Sequence, residues 1–125
     1  MLENLLTIAA GGAIGAVCRY LAGNAAVKLC GDGWPYGTFI VNVAGCFFMG
    51  LLMTVIVDRQ MLPPAWRLFL CVGLLGGFTT FSSFGYEAFT LFGEGNLLGA
   101  LIYAGGSVLL GLVAVAAGVL TAGAL

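Results

Sequence analysis

Asn42, Phe81, Phe84, Tyr103 and Ser107 are the side chains best suited to holding a small ion, and each stands in a run that is otherwise almost wholly apolar. The Asn42 amide has two N–H donors and one acceptor, and Thr38, four residues earlier, puts a hydroxyl on the same helical face. Gly45 and Cys46 share that face. Phe81 and Phe84 lie three apart on another face, with Phe78 one turn back. The edge of a phenyl ring is positive, so two rings turned edge-on stabilise a small anion while excluding water; the same rings also serve plain packing. Ser82, Ser83, Tyr103 and Ser107 extend the supply of O–H donors along one route. Asn42 has a second reading as a group that ties helices together.

Two charges bear on the same question. Arg19 falls about halfway along the first apolar run, where an arginine costs at least ~2.5–3.5 kcal/mol on insertion scales. It either snorkels toward headgroups or raises the potential at a water-filled mouth, favouring anions. Glu87, one turn beyond Phe84, is an interfacial snorkelling carboxylate or a gate. With no His, no paired carboxylates at depth, no nucleophile beside a base and no P-loop, catalysis is excluded. Cys18, Cys30, Cys46 and Cys71 lack CxxC spacing and read as small packing residues, which argues against zinc, haem and most transition-metal sites.

The elements that position these groups follow from composition. Of 125 residues 62% are hydrophobic and 7% charged, with mean hydropathy +1.14, which places the chain in a bilayer. The length accommodates four helices in one domain, 1–125, with spans at 5–29, 36–57, 66–92 and 97–120. Short links with turn chemistry join them, and Trp34, Tyr36 and Trp66 fall at the membrane interfaces. Arg59 and Arg67 flank one side and Lys28 the other, so the charge bias that sets orientation is nearly balanced. Balanced charge predicts dual topology: copies insert both ways and pair as an antiparallel homodimer. Gly11, Gly15, Arg19 and Gly23 in the first span, and Gly99, Tyr103, Ser107 and Gly111 in the fourth, recur every four residues, a spacing that allows close helix approach.

The third span carries GGFTTFSSF from Gly76 to Phe84, a poor recipe for an uninterrupted helix. It predicts a break in mid-membrane, with regular winding given up around the double glycine. At that depth, freed backbone groups cost several kcal/mol each unless protein or water covers them, so such breaks line ion or substrate sites.

Four motifs together resemble the small bacterial fluoride channels (Fluc, also called CrcB): GGAIGAVCRY from Gly11, GTFIVNVAGCFFMG from Gly37, GLLGGFTTFSSF from Gly73 with Tyr86 and Glu87 after it, and Tyr103 with Ser107. The resemblance runs through nearly the whole chain and implies four-helix subunits paired as antiparallel homodimers with two pores in the bacterial inner membrane. Fluoride would pass by electrodiffusion, relieving its toxicity. The resemblance also implies a structural, non-transported sodium ion on the dimer axis, held by backbone carbonyls that map to Gly76 and Thr79 of both subunits. The paired phenylalanines map to Phe81 and Phe84, the pore asparagine to Asn42, the vestibule arginine to Arg19, the gate-proximal glutamate to Glu87 and the hydroxyl track to Tyr103 and Ser107. One departure stands out: where some relatives continue that track a turn later, this chain has Gly111.

Two rivals remain. A small proton-coupled multidrug exporter shares the four helices and balanced charge, but it needs a glutamate deep in the first helix, where this chain has Arg19. A purely structural membrane subunit would account for the glycine stripes but not for a broken helix beside Asn42.

Overall fold

The computed structural model describes all residues, Met1–Leu125, and contains helices joined by short turns. Four helical stretches are long and apolar enough to cross a membrane: Leu2–Cys30, Tyr36–Asp58, Arg67–Gly93 and Leu97–Gly123. They match the four expected spans to within a turn at each end. The second span packs along the fourth, the first along the opening half of the third, and the closing half of the third against the fourth.

The winding is not uniformly α. The second span turns to π winding at Thr54–Asp58, where the Thr54 hydroxyl donates back to the Gly50 carbonyl at 2.9 Å. Such back-bonding competes with the helix ladder and bends it. The third span opens with a longer π segment, Arg67–Leu75, and continues as α-helix through Gly76–Phe78. It then breaks at Thr79 and Thr80 and resumes as α-helix over Phe81–Gly93.

The break therefore lies within the expected stretch but not at the double glycine. Gly76 has ordinary helical dihedrals, φ −62 and ψ −36, and Gly77 is helical too. Two neighbouring β-branched residues, which favour extended backbone, do the breaking. Thr79 (φ −83, ψ 159) and Thr80 (φ −151, ψ 117) are both extended. The Thr79 hydroxyl donates to the Leu75 carbonyl at 2.9 Å, closing off the first half, and the Thr80 hydroxyl accepts from the Ser83 N–H at 3.2 Å as the N-cap of the second.

The glycines instead permit contact between spans. A Cβ on Gly15 would collide with the Leu74 carbonyl, and one on Gly77 with the carbonyl of Gly12. Backbone thus lies directly on backbone between the first and third spans, the close approach expected of small-residue spacing. On the fourth span the glycines of the expected stripe do not do this: Gly111 faces the Cys46 side chain and Gly99 its own cap residue, Asn96, and it is Gly118, outside the stripe, that is jammed against Phe47 of the second span. A small core of Leu91, Ala100 and Tyr103 closes one end of the bundle, with Trp34, Phe39 and Phe84 against it.

Candidate functional site

Asn42 and the break hold each other in place. The Asn42 Nδ2 donates to the Thr80 carbonyl at 2.9 Å and its Oδ1 accepts from the Thr80 N–H at 2.8 Å. In an unbroken helix that N–H would reach the Gly76 carbonyl; here one amide side chain satisfies both the N–H and the C=O of Thr80. Asn42 is thus helix glue, and its second N–H remains as a donor. None of the hydrogen bonds ends on the Thr79 carbonyl, which leaves a hard oxygen acceptor in the middle of the span. Gly76 is exposed nearby, and a Cβ there would meet nothing closer than 3.9 Å.

Beside this pair lies a cavity of about 320 Å³ walled by Asn42, Cys46 and Met49 of the second span, Thr79, Thr80, Phe81 and Phe84 of the third, and Ser107, Val108 and Val115 of the fourth. The Ser107 Oγ is buried and has no hydrogen-bond partner. A buried hydroxyl left unpaired costs roughly 1–3 kcal/mol, so this one is available to something that enters the cavity. The Phe81 and Phe84 rings stand 5.7 Å apart at 41°, and Phe84 meets Tyr103 edge-on at 5.2 Å. Phe81 is 84% exposed, Ser82 is also exposed, and Ser83 is half-buried. The Ser82 Oγ lies 3.4 Å from the Thr80 Oγ1, extending the polar edge of the break.

Above Phe84 the polar groups close into a cluster. Glu87 accepts from the Thr38 hydroxyl at 2.8 Å on one carboxylate oxygen and from the Tyr103 hydroxyl at 2.9 Å on the other. Tyr103 is fully buried. Glu87 is thus turned into the bundle; the snorkelling reading does not hold. Thr38, Glu87 and Tyr103 come from three different spans, and the carboxylate joins them. Arg19 is half-buried on the first span and takes no part in the cavity wall, so the structure does not bring it to the other site residues.

Comparison with known proteins bears on this arrangement. Residues 6–119 match the family described as CrcB-like protein, Camphor Resistance (CrcB). A protein of Chloroflexus aurantiacus named fluoride-specific ion channel FluC is 54% identical over 118 residues, 94% of each chain. Its namesake in Caulobacter vibrioides is 48% identical over 122 residues, 97% of this chain and 96% of its own, and that of Agrobacterium fabrum 44% over 115 residues, 92% of each. This chain belongs to the CrcB family.

As a CrcB protein it has four apolar spans and is a multi-pass membrane protein. Its sequence signalled Asn42, Thr38, Tyr103 and Ser107 by polarity in apolar surroundings, and the phenylalanines by spacing. Two features escaped that reading. Thr80, partner of Asn42 and cap of the second half-helix, is 38 residues away from Asn42, a separation across which local pattern gives no signal. Cys46, read as packing, faces the cavity.

Proposed function

We propose that this CrcB protein is a fluoride-selective ion channel, not an enzyme, that lets toxic fluoride leave the cell by passive electrodiffusion across the inner membrane. The observation that carries this reading is the unpaired, buried Ser107 hydroxyl in a cavity shared with Asn42 and two phenyl rings. Relatives covering nearly the whole chain are named fluoride-specific ion channels, which points the same way.

Selectivity follows from hydration. Stripping a small anion of water costs on the order of tens of kcal/mol in an apolar medium, so only closely converging donors replace what is lost. The free Asn42 N–H, the hydroxyls of Ser107, Ser82 and Ser83, and the ring edges of Phe81 and Phe84 are the donors open to a small ion, the Tyr103 O–H being spent on Glu87, and a larger halide is kept out by size. Glu87 and Thr38 hold the Tyr103 hydroxyl in place, and Arg19 sets a positive potential in the vestibule.

The working unit is an antiparallel homodimer with two pores. Support comes from the unbonded Thr79 carbonyl and the exposed Ser82, which at bilayer depth need cover from protein or water, and a second copy supplies it. Gly76 and Thr79 carbonyls of both copies would hold a structural sodium ion, and the donor set suits a hard cation. Such an ion, when bound, supplies fixed positive charge beside an anion route.

Purified protein in liposomes, monitored with a fluoride electrode, tests the reading. Rapid passive fluoride efflux is expected, with chloride efflux far slower. Phe81→Ile and Phe84→Ile keep bulk but remove the positive ring edge, and each should slow efflux at least about tenfold. Proton-coupled dye transport without fluoride efflux would mark an exporter instead. Adding two or three lysines at the C-terminus fixes one orientation and should abolish flux until an oppositely locked copy is co-expressed; full activity from one locked form alone would remove the antiparallel dimer.

A further inference from the structure

The second-span wall of the cavity carries a graded series on one face: the Asn42 amide, the Cys46 thiol one turn on, and the Met49 thioether. Their capacity to donate falls along it, from N–H to the weaker S–H to none. Opposite, the fourth span presents Tyr103, Ser107 and then Gly111 at successive turns, so the hydroxyls of that row stop at Ser107. Gly111 is buried, and the atom nearest to the Cβ it lacks is the Cys46 Sγ, 3.3 Å away. The cysteine thus stands at the level where the fourth span runs out of donors, and Gly111 leaves room for the larger sulfur atom. An independent observation marks this stretch of wall as a place for a ligand: the Ser107 hydroxyl, one turn from Gly111, is buried in the same cavity without any partner.

We propose that the Cys46 thiol is a donor to the permeating anion, taking over at the Gly111 level the role that the unpartnered Ser107 hydroxyl plays one turn earlier. The inference rests on the channel reading above and adds a residue to it. Past Cys46 the cavity is lined by Met49 and Val115, which have no hydrogen to offer, so the thiol is the last donor this chain contributes on that side. The half-buried thiol needs no proton transfer to act here; it orients its S–H toward the ion and keeps it. The sulfur is bulkier and softer than a hydroxyl, so the donor is weak and the ion is held loosely where it must leave.

The test uses full-length protein in liposomes with a fluoride electrode. Cys46→Ala removes the donor and should slow fluoride efflux about fivefold, the scale expected for one modest hydrogen bond. Cys46→Val keeps volume without a donor and should be as slow as Cys46→Ala; Cys46→Ser keeps a donor and should match the parent or exceed it. Combining Cys46→Ala with Gly111→Ser places a hydroxyl from the opposite helix in the vacated space and should bring efflux back to within about twofold of the parent. Parental rates from both Cys46→Ala and Cys46→Val would overturn the proposal, as would recovery in Cys46→Val, which would make the residue a filler of space. A parent protein that passes no fluoride would sink the channel reading itself, a separate failure visible before any variant is made.

Discussion

Before its break, the third span presses its glycines onto first-span backbone, Gly73 against the Ile8 carbonyl and Gly77 against that of Gly12; after it, Gly85 and Gly93 have no heavy atom within 4 Å. The first half is π-wound and sealed. The second is α-wound, capped by Thr80, and carries Phe84 and Glu87 toward the fourth span. One stretch of chain thus anchors the bundle with one half and builds a polar route with the other. Gly73 and Gly77 before Thr79 mark contact with the first span, whereas Gly85 and Gly93 after it mark open space.

Substitutions can break or sharpen that contrast. The largest effect is expected at Gly15, whose added Cβ would strike the Leu74 carbonyl. Overpacking against rigid backbone costs about 1–3 kcal/mol or more, so Gly15→Val should yield no monodisperse protein on size exclusion in detergent. Gly85→Ala should elute and melt like the parent; a comparable loss there would mean that the second half is also packed tight, against another copy.

Next comes Asn42→Leu, which leaves both Thr80 backbone groups unpaired at about 1–3 kcal/mol each. Fluoride efflux should fall below detection and the melting temperature should drop, since the break loses the one side chain that reaches it from another span; a variant with normal flux would separate the break from conduction. A smaller effect is expected for Tyr103→Phe, which retains the ring against Trp34 and Phe84 but removes the donor to Glu87. About tenfold slower efflux with an unchanged melting temperature would assign the cluster to the route rather than to the fold. Smallest of all, Arg59→Ala removes the guanidinium from the Ala122 and Gly123 carbonyls at the end of the fourth span. A helix-end cation contributes roughly 0.3–1 kcal/mol, so a slight fall in melting temperature with unaltered flux is expected.

The spans were legible because bilayer solvation acts on twenty residues at once, and no tertiary detail can hide so long a signal. The break was legible as a region but not to the residue. Gly76 and Gly77 are weak helix formers, yet both stay helical, and Gly77 is held there by backbone-on-backbone contact with Gly12, while the break fell to Thr79 and Thr80. The pairing of Asn42 with Thr80 and the inward turn of Glu87 depend on residues tens of positions away, which local pattern cannot reveal. Cys46 went unrecognised for a similar reason: a thiol in an apolar helix looks like filler until the glycine facing it is known.

The clasp between Arg59 and the fourth span has a consequence for synthesis. The carbonyls that Arg59 grips come 63 and 64 residues after it, so at typical elongation speeds roughly 3 to 13 seconds pass before they exist. Throughout that interval the cation is untethered and exposed to whatever pulls charge to one face of the membrane. The clasp is therefore a late contact, made only once the end of the fourth span has been synthesised.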